Sequence, residues 1–172
     1  MDLKAHIRQI PDFPKPGILF YDISTLLAHG EAWRETVDRV ADAVRAYRPD
    51  VLAAIESRGF IFAAPVAYKL GVGFTMVRKV GKLPGTVVSH AYDLEYGSDT
   101  LQIAEGLVPA GSRVVLIDDL LATGGTAQAA VELVRKLGAE VVGAVFLIEL
   151  MGLKGRARLD VPMTTLLGYE GG

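Results

Sequence analysis

The sequence predicts an α/β fold, a mainly parallel sheet with helices on both faces. Three observations predict it. Short, almost wholly apolar runs at Val51–Ile55, Phe74–Val77, Val114–Ile117 and Val141–Ile148 have the composition of strands buried on both sides. Between them lie segments with helical spacing of apolar residues, and two of these segments are closed by glycine, at Gly71 and Gly138. Strand and helix patterns alternate, the signature of parallel strands joined by crossover helices.

Taken in order, the elements follow from local chemistry. Pro11, Pro14 and Pro16 make the opening irregular but rigid, since each removes a backbone donor and restricts its predecessor. A short apolar run, Ile18 to Tyr21, follows. From Glu31 to Arg48, Trp33, Val37, Val40, Ala41, Val44 and Tyr47 share one helical face and charges occupy the other. A second helix is predicted from about Phe60 to Leu70, with Pro65 a point of kinking, and a third from Thr126 to Leu137. The stretch Gly81 to Gly97 is polar, glycine-containing and weakly periodic, the character of a lid, while Thr86–Ser89 and Thr100–Ile103 can pair as a hairpin.

The chain has 172 residues, no cysteine, and 18 Lys and Arg against 20 Asp and Glu. One domain spanning 1–172 is expected, large enough to bury about 70% of the surface its unfolded chain exposes. Bulk nucleic-acid binding is disfavoured, because it needs a net basic face. The absence of cysteine excludes disulfides and thiolate metal sites. The longest uncharged stretch, Leu120 to Val131, has 12 residues, short of the ~20 that span a bilayer. The first ten residues hold Asp2, Lys4, His6 and Arg8 and have no apolar core, so no signal peptide is expected and the cytoplasm is the expected compartment. His6, His29 and His90 show no metal-ligand spacing and read as surface or loop residues; Lys154, Arg156 and Arg158 read as a solvated turn.

Ligands of such sheets bind beyond the carboxyl ends of the strands. Past Ile117 stand Asp118 and Asp119, then Ala122-Thr123-Gly124-Gly125-Thr126 opening directly into a helix. Two carboxylates there can accept from vicinal sugar hydroxyls or hold a divalent cation, directly or through water. The five small residues suit a phosphate, because free N–H groups and the helix dipole face it and glycine permits close approach. A capped helix start explains any short fragment of this run; the whole run favours phosphate. It lacks the lysine of a nucleoside-triphosphate loop.

The run Val114–Ala127, VVLIDDLLATGGTA, is similar to the phosphoribosyl pyrophosphate signature of the type I phosphoribosyltransferases, in the form carried by the branch that acts on adenine. FPKPGILFYDIS at Phe13–Ser24, ESRGF at Glu56–Phe60, VRKVGKLPG at Val77–Gly85, YDLEYG at Tyr92–Gly97 and LKGRARL at Leu153–Leu159 extend the resemblance over nearly the whole chain. It implies the type I phosphoribosyltransferase fold: a five-stranded, mainly parallel core, a small N-terminal hood from about residues 1–30, and a flexible catalytic loop at about 79–99. The implied reaction joins N9 of adenine to the anomeric carbon of phosphoribosyl pyrophosphate in purine salvage, giving AMP and pyrophosphate, with magnesium as cofactor held mainly by the substrate.

By the same resemblance, Ala122–Thr126 hold the 5-phosphate and Asp118 and Asp119 face the ribose hydroxyls. Ser57, Arg58 and Gly59 form the pyrophosphate loop. Arg78, Lys79 and Lys82 would repel one another unless they serve an anion or scatter into solvent, and they are assigned to pyrophosphate too. In the family such cations can cross a subunit interface, so a homodimer is expected. Glu95 matches the loop carboxylate that manages a purine proton, and a carboxylate there can alternatively stabilise oxocarbenium-like charge. Phe20 is the candidate stacking surface for the base, with backbone groups near Leu19 and Tyr21 reading its edge; Tyr21 stands where arginine is familiar in the family. Another purine base (hypoxanthine, guanine or xanthine) and a non-catalytic sensor of the same ligands are the alternatives. The sensor is disfavoured by the lack of room for a DNA-binding module and by the presence of Glu95.

Overall fold

The computed structural model describes residues 1–94 and 96–171. Near the N-terminus β1 (Arg8–Ile10) and β2 (Phe20–Asp22) form a small antiparallel pair. A short helix α1 (Ser24–Leu27) and the long α2 (Gly30–Ala46) lead into β3 (Val51–Ile55), α3 (Arg58–Leu70) and β4 (Gly73–Lys79). A hairpin of β5 (Val87–Asp93) and β6 (Ser98–Ala104) precedes β7 (Arg113–Leu121), α4 (Gly125–Lys136), β8 (Glu140–Leu150) and β9 (Met163–Tyr169). The main sheet has the order β5-β6-β4-β3-β7-β8-β9. Five of these strands, β4-β3-β7-β8-β9, are parallel, and the antiparallel hairpin extends the sheet on the β4 side.

The apolar runs become strands because successive side chains serve opposite layers. Leu52, Ala54, Val115, Ile117, Val145 and Leu147 point into a core with Val40, Val44, Phe62 and Val66 of α2 and α3. Their neighbours Ala53, Ile55, Val114, Leu116, Ala144 and Phe146 point the other way, onto Ala130, Leu133 and Val134 of α4. The helices α2, α3 and α4 lie within two residues of their expected limits, and α3 runs unbroken through Pro65. Gly71 closes α3 in the left-handed conformation, at φ 71°.

Two departures from the sequence expectation matter, and one expected pairing is met. The acidic pair lies inside β7, not beyond it, because the eleven-residue β8 supplies partners as far as Leu121. The pairing of β3 with β7 ends at Ala54–Ile117, so Asp118 to Leu121 have a strand neighbour on the β8 side only. The hairpin expected from Thr86–Ser89 and Thr100–Ile103 is present as β5–β6 and is longer than those runs, with Val87 opposite Ala104 and Asp93 opposite Ser98. Finally β9 was not expected: its MTTLLGY sequence is a half-buried edge, without the apolar run of the central strands.

Candidate functional site

The free edge of β7 opens into a cavity of about 510 Å³. Its walls bring together residues 55–58, the end of β7, the loop Ala122–Gly124, the start of α4, and Lys79, Tyr92, Leu94, Asp99 and Leu101. Gly124 takes φ 87° at the start of α4, a conformation glycine adopts without strain. Its missing Cβ also matters, since a Cβ there would stand 2.6 Å from the carbonyl oxygen of Gly155. Gly155 faces Ala122 and Gly124 in return, so the turn at 155–158 braces the loop backbone against backbone. The free N–H groups at the beginning of α4 thereby face an open space fit for a phosphate. Thr126 Oγ1 lies 3.3 Å from the Tyr92 hydroxyl, which ties the hairpin to the same loop.

The acidic pair is held by two different sets of contacts. Asp118 accepts the Asp119 N–H at 2.8 Å, and its carboxyl is pushed well above the ordinary value by burial first and by the Asp119 charge second. Asp119, only 8% exposed, accepts from Arg58 Nε at 2.6 Å. The attraction of Asp119 raises the Arg58 pKa above its ordinary value, so the guanidinium stays charged. Gly59 lets α3 start this close to β7: a Cβ there would lie 2.8 Å from the Ile117 carbonyl oxygen. Among the described residues no group of three carboxylates or imidazoles could cage a metal. Two adjacent carboxylates on an open cavity do fit a hydrated magnesium ion whose remaining ligands are substrate oxygens.

Arg78, Lys79 and Lys82 are brought together around carboxylates. Glu56, 8% exposed at the side chain, accepts from Arg78 Nε at 3.0 Å and from the Lys79 N–H at 2.8 Å, with Lys82 Nζ at 3.6 Å. Burial pushes the Glu56 carboxyl up, but these donors and charges together outweigh it and hold the carboxyl below its ordinary value. Lys79 Nζ pairs with Asp99 at 3.3 Å. Of the three cations, Lys79 lines the cavity; Arg78 is turned over the Phe60 ring, its guanidinium 5.7 Å from the centroid.

Of the residues expected to face a base, Phe20 is half-buried beside the loop of residue 58, with the Arg58 guanidinium 5.9 Å from its ring centroid and Phe13 packed edge-on at 5.0 Å. Leu19 is exposed. The Tyr21 ring turns the opposite way, onto Tyr169 at 4.5 Å, so its side chain belongs to the packing under β9. Glu95 lies outside the described residues. The basic turn is not simply solvated: Arg156 pairs with the buried Glu149 at 2.8 Å, and Arg158 packs along Gly124 and Gly125. His29 has a structural task as well, its Nδ1 accepting the Ala32 N–H at the start of α2.

Sequence reasoning missed Glu56, Tyr92 and Asp99 as residues of this site. Glu56 had a signal, standing directly before Ser57 at the end of an apolar strand. Asp99 had none, because only the hairpin register brings it to Lys79.

The phosphoribosyl transferase domain family model matches residues 23–164. Adenine phosphoribosyltransferase of Rhodospirillum rubrum is 63% identical to this chain over 170 residues, covering 99% of each. The corresponding protein of Rhodospirillum centenum is 59% identical over the same shares. Among solved structures, the adenine phosphoribosyltransferase of Thermoanaerobacter pseudethanolicus superposes with a TM-score of 0.94 at 48% identity, over 98% of both chains. That of Saccharomyces cerevisiae, complexed with adenine and an imino-altritol bisphosphate, gives 0.91 at 42%, over 96% of this chain and 97% of the other.

Proposed function

The chain belongs to the adenine phosphoribosyltransferase family, and from that premise we propose that it makes AMP and pyrophosphate from adenine and phosphoribosyl pyrophosphate. The observation that carries the reading is the convergence of the β7 acids, the Ala122–Thr126 loop and the Ser57–Arg58 loop on one cavity. In that cavity the 5-phosphate takes the N–H groups of Ala122–Thr126 and the Thr hydroxyls. Asp118 and Asp119 accept from the ribose hydroxyls, one fixed by a backbone N–H and the other by Arg58. Ser57, Arg58 and Gly59 meet the pyrophosphate, with Lys79 across the opening.

In the reaction N9 forms a bond to the anomeric carbon as the bond from that carbon to the pyrophosphate oxygen breaks, and its electron pair leaves with pyrophosphate. Glu95 takes the imidazole proton that N9 attack releases. Magnesium, when bound, neutralises charge on the leaving pyrophosphate; Asp118 and Asp119 are the side chains that would hold it, directly or through water. Phe20 stacks the purine, and backbone groups of Leu19 and Tyr21 read the N6 donor and N1 acceptor. The Tyr21 side chain faces Tyr169, which is compatible with readout by its backbone alone. The segments 1–30 and 79–99 act as hood and catalytic loop of a single domain, and two copies form a homodimer that shares cations across the interface.

The reverse reaction tests this reading. AMP supplied with magnesium pyrophosphate yields adenine and phosphoribosyl pyrophosphate. Recovery of AMP unchanged, at enzyme concentrations that bind it, contradicts the proposal.

A further inference from the structure

Each cation assigned to pyrophosphate already has a carboxylate partner. Arg58 is paired with Asp119 at 2.6 Å, Arg78 and Lys82 with Glu56 at 3.0 and 3.6 Å, and Lys79 with Asp99 at 3.3 Å. Asp119 faces the ribose in the reading above; Glu56 and Asp99 have no part in it. Both nonetheless line the cavity. An anion in the wall of a site for a polyanion opposes binding, and in a partly desolvated cavity one charge a few ångströms away has a large effect. Neither carboxylate is needed to satisfy backbone alone. Glu56 takes the Lys79 N–H, yet an amide oxygen accepts that bond equally well.

We propose that Glu56 and Asp99 are positioning residues that act as internal counter-ions, holding Arg78, Lys82 and Lys79 beside the cavity and lowering its affinity for pyrophosphate so that this product leaves. The inference rests on the pyrophosphate assignment made above. Without a counter-ion, clustered cations repel, spread into solvent when the site is empty and grip the product when it is full. With one, pyrophosphate exchanges places with a carboxylate: entry releases the cations from Glu56 and Asp99, and departure returns them. Asp99 belongs to β6, so exchange at Lys79 removes one side-chain tie between the hairpin and β4 while their backbone pairing stays.

The test is calorimetric titration of magnesium pyrophosphate into the full chain and two variants, Glu56→Gln and Asp99→Asn. Each substitution keeps shape and an acceptor oxygen and removes one charge. Binding is expected to tighten about five- to tenfold in each variant at low ionic strength, the gain shrinking as salt is added. Pyrophosphate should become a correspondingly stronger product inhibitor. A structural role alone predicts the opposite, weaker binding. Equal or weaker binding in the folded variants overturns the inference. Asp99 is partly exposed on a hairpin, so Asp99→Asn decides the matter if Glu56→Gln melts early. Failure of the unsubstituted protein to bind magnesium pyrophosphate overturns the site assignment itself.

Discussion

Arg58 Nε and Asp119 Oδ2 meet at 2.6 Å across 61 positions of sequence, joining the first residue of α3 to the last third of β7. The contact links the two halves of the proposed substrate site, one facing pyrophosphate and the other ribose. Arg58→Gln therefore raises KM for phosphoribosyl pyrophosphate by about tenfold or more and leaves KM for adenine nearly unchanged. Steady-state kinetics with each substrate varied in turn check the split. A rise confined to adenine contradicts the placement.

Asp118 gives a prediction with opposite signs for stability and binding. Its carboxyl is raised by burial and by Asp119, so the folded state holds a proton that the unfolded chain gives up at its ordinary value of 3.8. Below that value both states are protonated and there is no penalty; as pH rises, ionising this half-buried group beside Asp119 costs the folded state. Asp118→Asn removes that cost and still accepts the Asp119 N–H. The ligand-free variant melts a few degrees higher at neutral pH, about 2–4 °C per kcal/mol for a chain of this size, and the difference closes below the ordinary carboxyl value. Binding of phosphoribosyl pyrophosphate weakens in the same variant. Melting curves across pH, with and without ligand, check both signs.

The centre of the parallel core was legible because its strands are almost wholly apolar and two of its helices are closed by glycine, signals local to each segment. That the run Asp118 to Thr126 belongs to a site was legible for the same reason: it is one continuous stretch, and most of it lines the cavity. What escaped was what depends on pairing between distant segments. Glu56 becomes a counter-ion only because β4 lies beside β3, and Asp99 reaches Lys79 only through the β4–β6 register. The basic turn looked solvated because nothing near Arg156 in sequence shows that the buried Glu149 and Thr165 lie beside it. The strand β9 escaped because an edge strand does not need the apolar run that marks the centre of a sheet.

Gly155 supports the proposed phosphate loop, Ala122–Thr126, from behind. A Cβ at this position collides with the carbonyl of Ala122, and that backbone has no flexible end to move aside. Gly155→Ala accordingly shifts the loop, costs about 1–3 kcal/mol of stability and raises KM for phosphoribosyl pyrophosphate. Gly17→Ala, at φ 86° with open space around its Cβ, introduces backbone strain without loop contact and leaves that KM unchanged. Parallel thermal melts and kinetics of the two variants separate the effects.

Glu95→Gln tests the proton role. Turnover is expected to fall about a hundredfold or more, with a modest change in affinity for phosphoribosyl pyrophosphate. Pre-steady-state nucleotide formation, together with calorimetry, distinguishes the two. Unchanged turnover removes Glu95 from the chemistry.

The most direct measurement of the central claim is nucleotide synthesis from a panel of bases. Purified protein is mixed with magnesium, phosphoribosyl pyrophosphate and adenine, hypoxanthine, guanine or xanthine in separate reactions, and the products are resolved by chromatography. The account predicts AMP from adenine and negligible nucleotide from the three oxopurines, whose donor and acceptor pattern at positions 6 and 1 is reversed. Nucleotide from an oxopurine and none from adenine would contradict the assignment of Phe20 and its neighbours to an adenine site. No nucleotide from any base, with phosphoribosyl pyrophosphate still bound, would contradict catalysis itself.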